Sequence, residues 1–280
     1  MKRLLLSISV SACIITAGVA VAQKPSNGSP ASQQQGNIEY AAQSFVAEKR
    51  ANQSRVQGLL DRRGRGNGVG PLKRLLNDLD FARPNTPGIS AETQAAINDS
   101  LLTDAAQYLA ASNFAPNKVN AYLRAGFNPL EAAIAIVRGT PSPANVAILA
   151  DRVIVGRVLS VEASGSPAER TSIVTLDVDD TVLGPASDSV VFEQGGGLDA
   201  PLRSTILPNQ DSRVLVFLTD PAGNTRGDRE TLPTNLVTPF VETNGRFVPL
   251  GSSTIAAFSL DTLRAEIRPL TQLRVNNRGN

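Results

Sequence analysis

Asp61-Arg62-Arg63-Gly64-Arg65-Gly66-Asn67-Gly68-Val69-Gly70 is the stretch whose residue types and spacing most suggest chemistry. Cations set among glycines, with Lys73 and Arg74 close behind, suit a loop that grips a phosphate or an acidic surface. Arg62, Arg63, Arg65, Lys73 and Arg74 are therefore candidate contacts to an anionic surface. No Gly-Lys-Ser/Thr follows, so the segment is not a P-loop, and no strand precedes it as a dinucleotide site requires. The competing reading is an exposed linker between two helices.

Carboxylates offer the next chemistry. Asp177, Asp179 and Asp180 are close enough in sequence to attract calcium, but Val182 and Asp188 stand where an EF-hand loop needs Gly and Glu. Asp177 and Asp179 also fall on the polar face of an alternating strand, where charges are simply solvated. A glycosidase-type pair of carboxylates stays open, although nothing in the spacing selects two of them. Nucleophilic catalysis is poorly served. There is no Ser-x-x-Lys pair, no Gly-x-Ser-x-Gly, and every lysine precedes residue 119.

The chain has 280 residues, no His, no Trp, one Cys and one Met. Met1-Lys2-Arg3, the apolar run Leu4 to Val19 and the small-x-small exit Ala20-Val21-Ala22 read as a secretory signal peptide over residues 1–22, with a mature start at Gln23. The run is too short for a membrane span, so no transmembrane segment is expected after cleavage. Cys13 and Met1 leave with the leader, and the expected mature chain then lacks imidazole, thiolate and thioether altogether. No metal site and no cofactor are expected on that composition. Lys2 and Arg3 leave too, so the 27 basic side chains fall to match the 25 acidic ones. Val10-Ser11-Ala12-Cys13 offers the alternative of a lipoprotein anchored through Cys13. Either route places the protein in the periplasm or outside the cell.

The elements that must carry these residues divide the chain. Residues 23–37 have no large apolar side chain and read as a disordered spacer. Residues 38–139 read as an α-helical region. Ile38, Ala42 and Phe45, then Val56, Leu59 and Leu60, then Leu72, Leu75, Leu76 and Leu79 recur at helical spacing. Ser90 and Asn128-Pro129-Leu130-Glu131 start further helices, and Gly126 and Gly139 end two. Past Pro141 and Pro143 the period changes, and residues 144–270 read as a small antiparallel β-barrel that should fold alone. Its strands are expected at 152–161, 173–178, 190–192, 214–218, 240–243 and 246–248, with Asn244-Gly245 as a hairpin turn. A helix over Ser259 to Ile267 closes the barrel and residues 271–280 form a flexible tail. The fold class is thus α+β: helices, then a barrel, then a C-terminal helix.

The barrel half resembles a family of exported bacterial β-barrel domains of unassigned role, netrin-like or OB-type in outline. The resemblance covers residues 148–268 and rests on Ala150-Asp151-Arg152-Val153-Ile154-Val155-Gly156-Arg157-Val158, Val178 to Leu183-Gly184, Gly195-Gly196-Gly197, Arg213-Val214-Leu215-Val216-Phe217-Leu218 and the helix from Ser259. These motifs imply a fold and not an activity. Netrin-like inhibitors of metalloproteinases act through an N-terminal cysteine, which the mature chain lacks. Leu123 to Ala133 resembles a late helix of amidohydrolases, whose metal-binding histidines have no counterpart here.

Charge follows the same division. Residues 23–75 hold nine basic and three acidic side chains, and residues 151–280 hold twelve and sixteen. An acidic barrel without Trp or Tyr repels phosphate, so no nucleic acid partner is expected. The leading expectation is a non-enzymatic cell-envelope binding or interaction module, its partner an envelope protein or polysaccharide. Two alternatives stand beside it: a carboxylate-based hydrolase acting on an envelope polymer, and an envelope-surface anchor through the basic segment 49–74.

Overall fold

A computed structural model describes residues 30–62, 64–80, 83, 85–164, 171–194, 207–220, 232–251 and 253–276. The expected signal peptide, Cys13, Arg63 and Gly195-Gly196-Gly197 lie outside the described residues. The protein is α+β, with N-terminal helices, a closed five-stranded β-barrel and a C-terminal helix.

The helices are α1 (Pro30–Arg62), α2 (Val69–Asp78), α3 (Ala91–Ala111), α4 (Pro116–Arg124), α5 (Pro129–Val137) and α6 (Pro143–Leu149). α1 starts inside the stretch expected to be a spacer. Residues 30–37 are helical because Ala31 and Gln33 to Gln35 have good helix propensity and extend a helix already nucleated by the packed turns after Ile38. Ser90 caps α3 by accepting from the Thr93 N–H, and Asn128 caps α5 from the Leu130 and Glu131 N–H groups. Gly126 and Gly139 end helices at positive φ, as glycine alone does cheaply. The two-proline stretch read as a boundary holds α6: Ser142 and Asn145 form a reciprocal capping box and Pro143 fills the first turn.

α1 and α3 run in the same direction, joined by a polar seam. Lys49 pairs with Asp104 at 2.8 Å, Gln53 donates to Ser100 and Asp104, and Gln107 Nε2 donates to the Gln53 carbonyl at 2.8 Å. Gln53 and Gln107 are both buried, so this satisfaction is what makes their burial tolerable.

The strands are β1 (Arg152–Ser164), β2 (Thr171–Leu183), β3 (Ser189–Gln194), β4 (Arg213–Thr219), β5 (Thr234–Asn235), β6 (Phe240–Thr243) and β7 (Arg246–Pro249). The order β1-β2-β3-β5-β4 closes through β1–β4 pairing, and the β6–β7 hairpin continues the sheet from β4. Among the described residues every pairing is antiparallel except β3–β5, which is parallel at Glu193↔Thr234. β1 reaches both neighbours because it coils. Its register with β2 shifts at Val153/Ile154, Val155/Gly156 and Val158/Ser160, and such bulges add twist. Gly156 lies against β2 so closely that a Cβ there would sit 2.4 Å from the Asp177 carbonyl oxygen. Asn244 and Gly245 both have positive φ, as the tight hairpin turn predicted from their sequence requires.

Strand alternation sorts the apolar residues into two cores. Ile154, Val158, Val174, Leu176, Val190, Phe192, Val214, Val216 and Leu218 fill the barrel interior. Val153, Val155, Leu215 and Phe217 point outward into a second core, shared with Leu72, Leu76, Leu109, Val146 and Leu149 of the helices. α7 (Leu260–Asn276) adds Leu263, Ile267 and Leu270 to that core. It runs through Pro269 into the stretch expected to be a tail, because Ile267 and Leu270 hold both sides of the proline against the protein. Among the described residues no helix is long and apolar enough to cross a membrane.

Candidate functional site

The glycine-rich basic stretch folds into a compact turn. The Arg65 N–H donates to the Leu60 carbonyl at 2.8 Å, and a short 3₁₀ turn at Gly66–Gly68 leads into α2. Two side chains close over Gly66: a Cβ there would lie 1.6 Å from Asp61 Oδ1 and 2.7 Å from Gln57 Nε2. Gln57 fastens the turn by donating to Asp61 Oδ1 at 2.9 Å and to the Gly66 carbonyl at 3.3 Å.

That turn aims Arg65 at the barrel. Its guanidinium donates to the Ala111 carbonyl at the end of α3 and, from Nη2, to the Asp220 carbonyl just past β4 at 2.8 Å. Asn113, at positive φ beyond α3, donates from Nδ2 to the same Asp220 carbonyl at 2.7 Å and to Asp151 Oδ2 at 2.9 Å. Asp151, ahead of β1, also accepts the Asp220 N–H at 3.0 Å and lies 3.5 Å from Lys118 Nζ. Lys118 in turn sits 4.4 Å above the Phe114 ring. Arg152 Nη2 lies 2.5 Å from Asp220 Oδ1. Residues from three helical segments and two strand ends thus meet at one polar joint.

The four of the five sequence-derived contacts that are described do not share this destination. Of these four, Arg65 alone enters the joint. Arg62 and Arg74 are exposed, and Lys73 is paired with Asp99 at 2.7 Å. The sequence marks the cluster as cationic but cannot separate the one guanidinium turned inward from those left in water. Asn113, Asp151 and Asp220, the other members, carry no motif. Only the small-residue break after α3 and the strand start at Arg152 hint at their placement.

The acidic triplet is likewise divided. Asp179 accepts from Arg213 Nε at 2.7 Å, Asp180 pairs with Arg264 of α7, and Asp177 is exposed opposite Arg157. Arg213 also donates to Glu242 Oε2 at 2.6 Å, and these bonds, Glu242 foremost, hold its pKa above the usual arginine range. Among the described residues no group of three or more His, Cys, Asp or Glu side chains converges to hold a metal ion. At the joint Asp151 accepts from structural donors and the Asp220 carboxylate is ion-paired with Arg152, so the geometry suits positioning two parts of the protein. No protein-family model matches the chain, and no curated protein matches it either.

Proposed function

We propose that this chain is an exported, non-enzymatic binding module of the cell envelope that meets its partner on the barrel's outer face away from the helices. The observation that carries the reading is the exposure of Leu159 (47 %) and Val191 (38 %) on β1 and β3. Val190 and Phe192 fill the interior, so strand alternation turns Val191 outward, on a surface the helical layer leaves uncovered. Apolar side chains fill the barrel, which argues for surface recognition over a ligand held inside. The absence of His from the sequence, with the only Cys inside the proposed leader, supports a role without transition-metal or Cys–His chemistry. The envelope partner would be a protein or polysaccharide.

A second reading, an envelope-surface anchor, is favoured by Arg50, Arg55, Arg62 and Arg74, all exposed within segment 49–74. One experiment separates the readings. Mature protein starting at Gln23 is sedimented with purified envelope polysaccharide and, separately, with envelope protein fractions, while release of soluble sugar is followed. Loss of binding in Leu159→Asp/Val191→Asp, with no sugar released, is the expected result. Binding lost instead in Arg55→Gln/Arg62→Gln/Arg74→Gln and by added salt favours the anchor. Sugar release abolished by Asp151→Asn would overturn the non-enzymatic reading. Intact mass of the exported protein tests the leader: a start at Gln23 is expected, and a diacylglyceryl group on Cys13 would make it a lipoprotein.

A further inference from the structure

The seams of the barrel are unequal. β1 and β2 pair from Val153↔Leu183 to Ser164↔Thr171, and β1 pairs with β4 from Arg152 to Arg157. β5 is two residues long, and among the described residues it meets β3 at one pair, Glu193↔Thr234. One backbone bond flanks that pair, from the Glu193 N–H to the Pro233 carbonyl at 2.8 Å. A buried amide makes up part of the deficit: Asn235 Nδ2 donates to Gln194 Oε1 at 2.9 Å, while Asn235 Oδ1 accepts the Phe217 N–H at 3.0 Å. Gln194 and Asn235 are both 2 % exposed, so these bonds form out of water, where losing a partner is costly.

The helical region holds the chain just past β4 and just past β5, on either side of this short strand. At the far end, the hydroxyl of Tyr108, buried in α3, donates to the Leu236 carbonyl at 2.6 Å, and the Leu236 N–H donates to the Phe217 carbonyl at 2.8 Å. At the near end, the Asp220 carbonyl takes both the Arg65 and the Asn113 donors.

We propose that the β3–β5 seam is where this barrel opens, and that the helical region is the clamp that keeps it shut, through Tyr108 at one end and Asn113 with Arg65 at the other. Among the described residues, opening at this seam breaks one ladder pair, against two at β4–β5 and six or more at the other seams of the barrel. It would uncover Phe192 and Leu218, interior residues on the strands flanking β5. Anything that shifts α3 relative to the barrel therefore changes access to the interior, a conformational device that stands independently of the envelope-binding reading.

Residue-resolved hydrogen exchange on the whole mature chain tests it. The amide of Glu193 reports the β3–β5 seam itself and those of Phe217 and Leu236 the adjoining contact of β5 with β4, together the seam amides; those of Val155 and Leu176 report the β1–β2 body. Tyr108→Phe removes the far contact. Asn113→Gly removes the near one while keeping a backbone conformation glycine accepts. Each should speed exchange of the seam amides about five- to tenfold and leave the body amides unchanged, the scale of one lost buried hydrogen bond. Leu76→Ala, which weakens the helical core but leaves every clamp hydrogen bond in place, should not reproduce this selectivity. Unchanged seam amides in both clamp variants, a uniform rise across the barrel, or the same selective rise in Leu76→Ala would overturn the proposal.

Discussion

Glu39 and Ser90, 51 positions apart, are joined twice: the carboxylate of Glu39 accepts the Ser90 N–H and the Ser90 hydroxyl, each at 2.8 Å. It accepts the Thr93 hydroxyl as well, so a side chain from α1 closes the first turn of α3, where N–H groups lack helical partners. The bond from Thr93, then those from Ser90, lower the pKa of Glu39 from 4.5 to about 2.

The pH dependence follows from that lowering. A carboxylate more acidic in the folded than in the unfolded state adds stability above its unfolded value, and the gain is lost as pH falls through the folded value. Glu39→Gln should therefore be less stable than the parent at neutral pH. The gap should shrink between about pH 4.5 and about pH 2, as measured by urea unfolding across that range. A gap independent of pH would mean that shape, and not charge, joins α1 to α3.

The arginines of the glycine-rich turn should separate by position. Arg65→Gln should cost about 1–3 kcal/mol, since it deprives the Ala111 and Asp220 carbonyls of a charged donor. Arg62→Gln and Arg74→Gln, at exposed sites, should stay within about 0.5 kcal/mol of the parent. Denaturant midpoints for the three variants check the ranking.

Two glycines in tight places should respond differently to alanine. At Gly156 the obstacle is the Asp177 backbone, which cannot move without disturbing the β1–β2 ladder, so Gly156→Ala should cost about 1–3 kcal/mol. At Gly66 the nearest atoms belong to the side chains of Asp61 and Gln57, which can swing aside. Gly66→Ala should be the milder change in thermal unfolding, with Arg65 still seated in the joint.

The shared core predicts one cooperative unit. Phe217 is fully buried, packs edge-to-face on Phe240 at 5.8 Å between ring centres, and belongs to the same cluster as the helix residues. Phe217→Ala should cost about 3–5 kcal/mol and shift the helices together with the barrel. All three tyrosines, Tyr40, Tyr108 and Tyr122, lie in the helical region, so tyrosine fluorescence reports from that region. Its midpoint should coincide with that of barrel amide exchange. A fragment starting at Pro141 would expose Val153, Val155, Leu215 and Phe217, and should lack a cooperative transition. A folded fragment would restore the two-domain division.

Much of the fold was legible because its signals are local. Ser90 and Asn128 are caps, Gly126 and Gly139 are stops, Asn244-Gly245 is a turn, and Val214 to Leu218 is a buried strand, each through the conformational preference of a few adjacent residues. α6 was missed although Ser142-Pro143-Ala144-Asn145 carries its capping box, because two prolines resemble a linker. β5 had no signal to find, since two residues cannot show a period.

The sequence by itself determined the order of helices, strands and closing helix, and the clustering of arginine near Gly64 to Gly70, because propensity, capping and turn chemistry act over a few residues. Only the tertiary structure decided that Arg65 faces the barrel while Arg62 and Arg74 face water. It alone paired Asp179 and Asp180 with Arg213 and Arg264, and closed the barrel through Asn235, Gln194 and Tyr108. Those pairings join residues tens to more than a hundred positions apart. They form only when burial brings the elements together, and a buried polar group then bonds to whichever partner the packing places within reach.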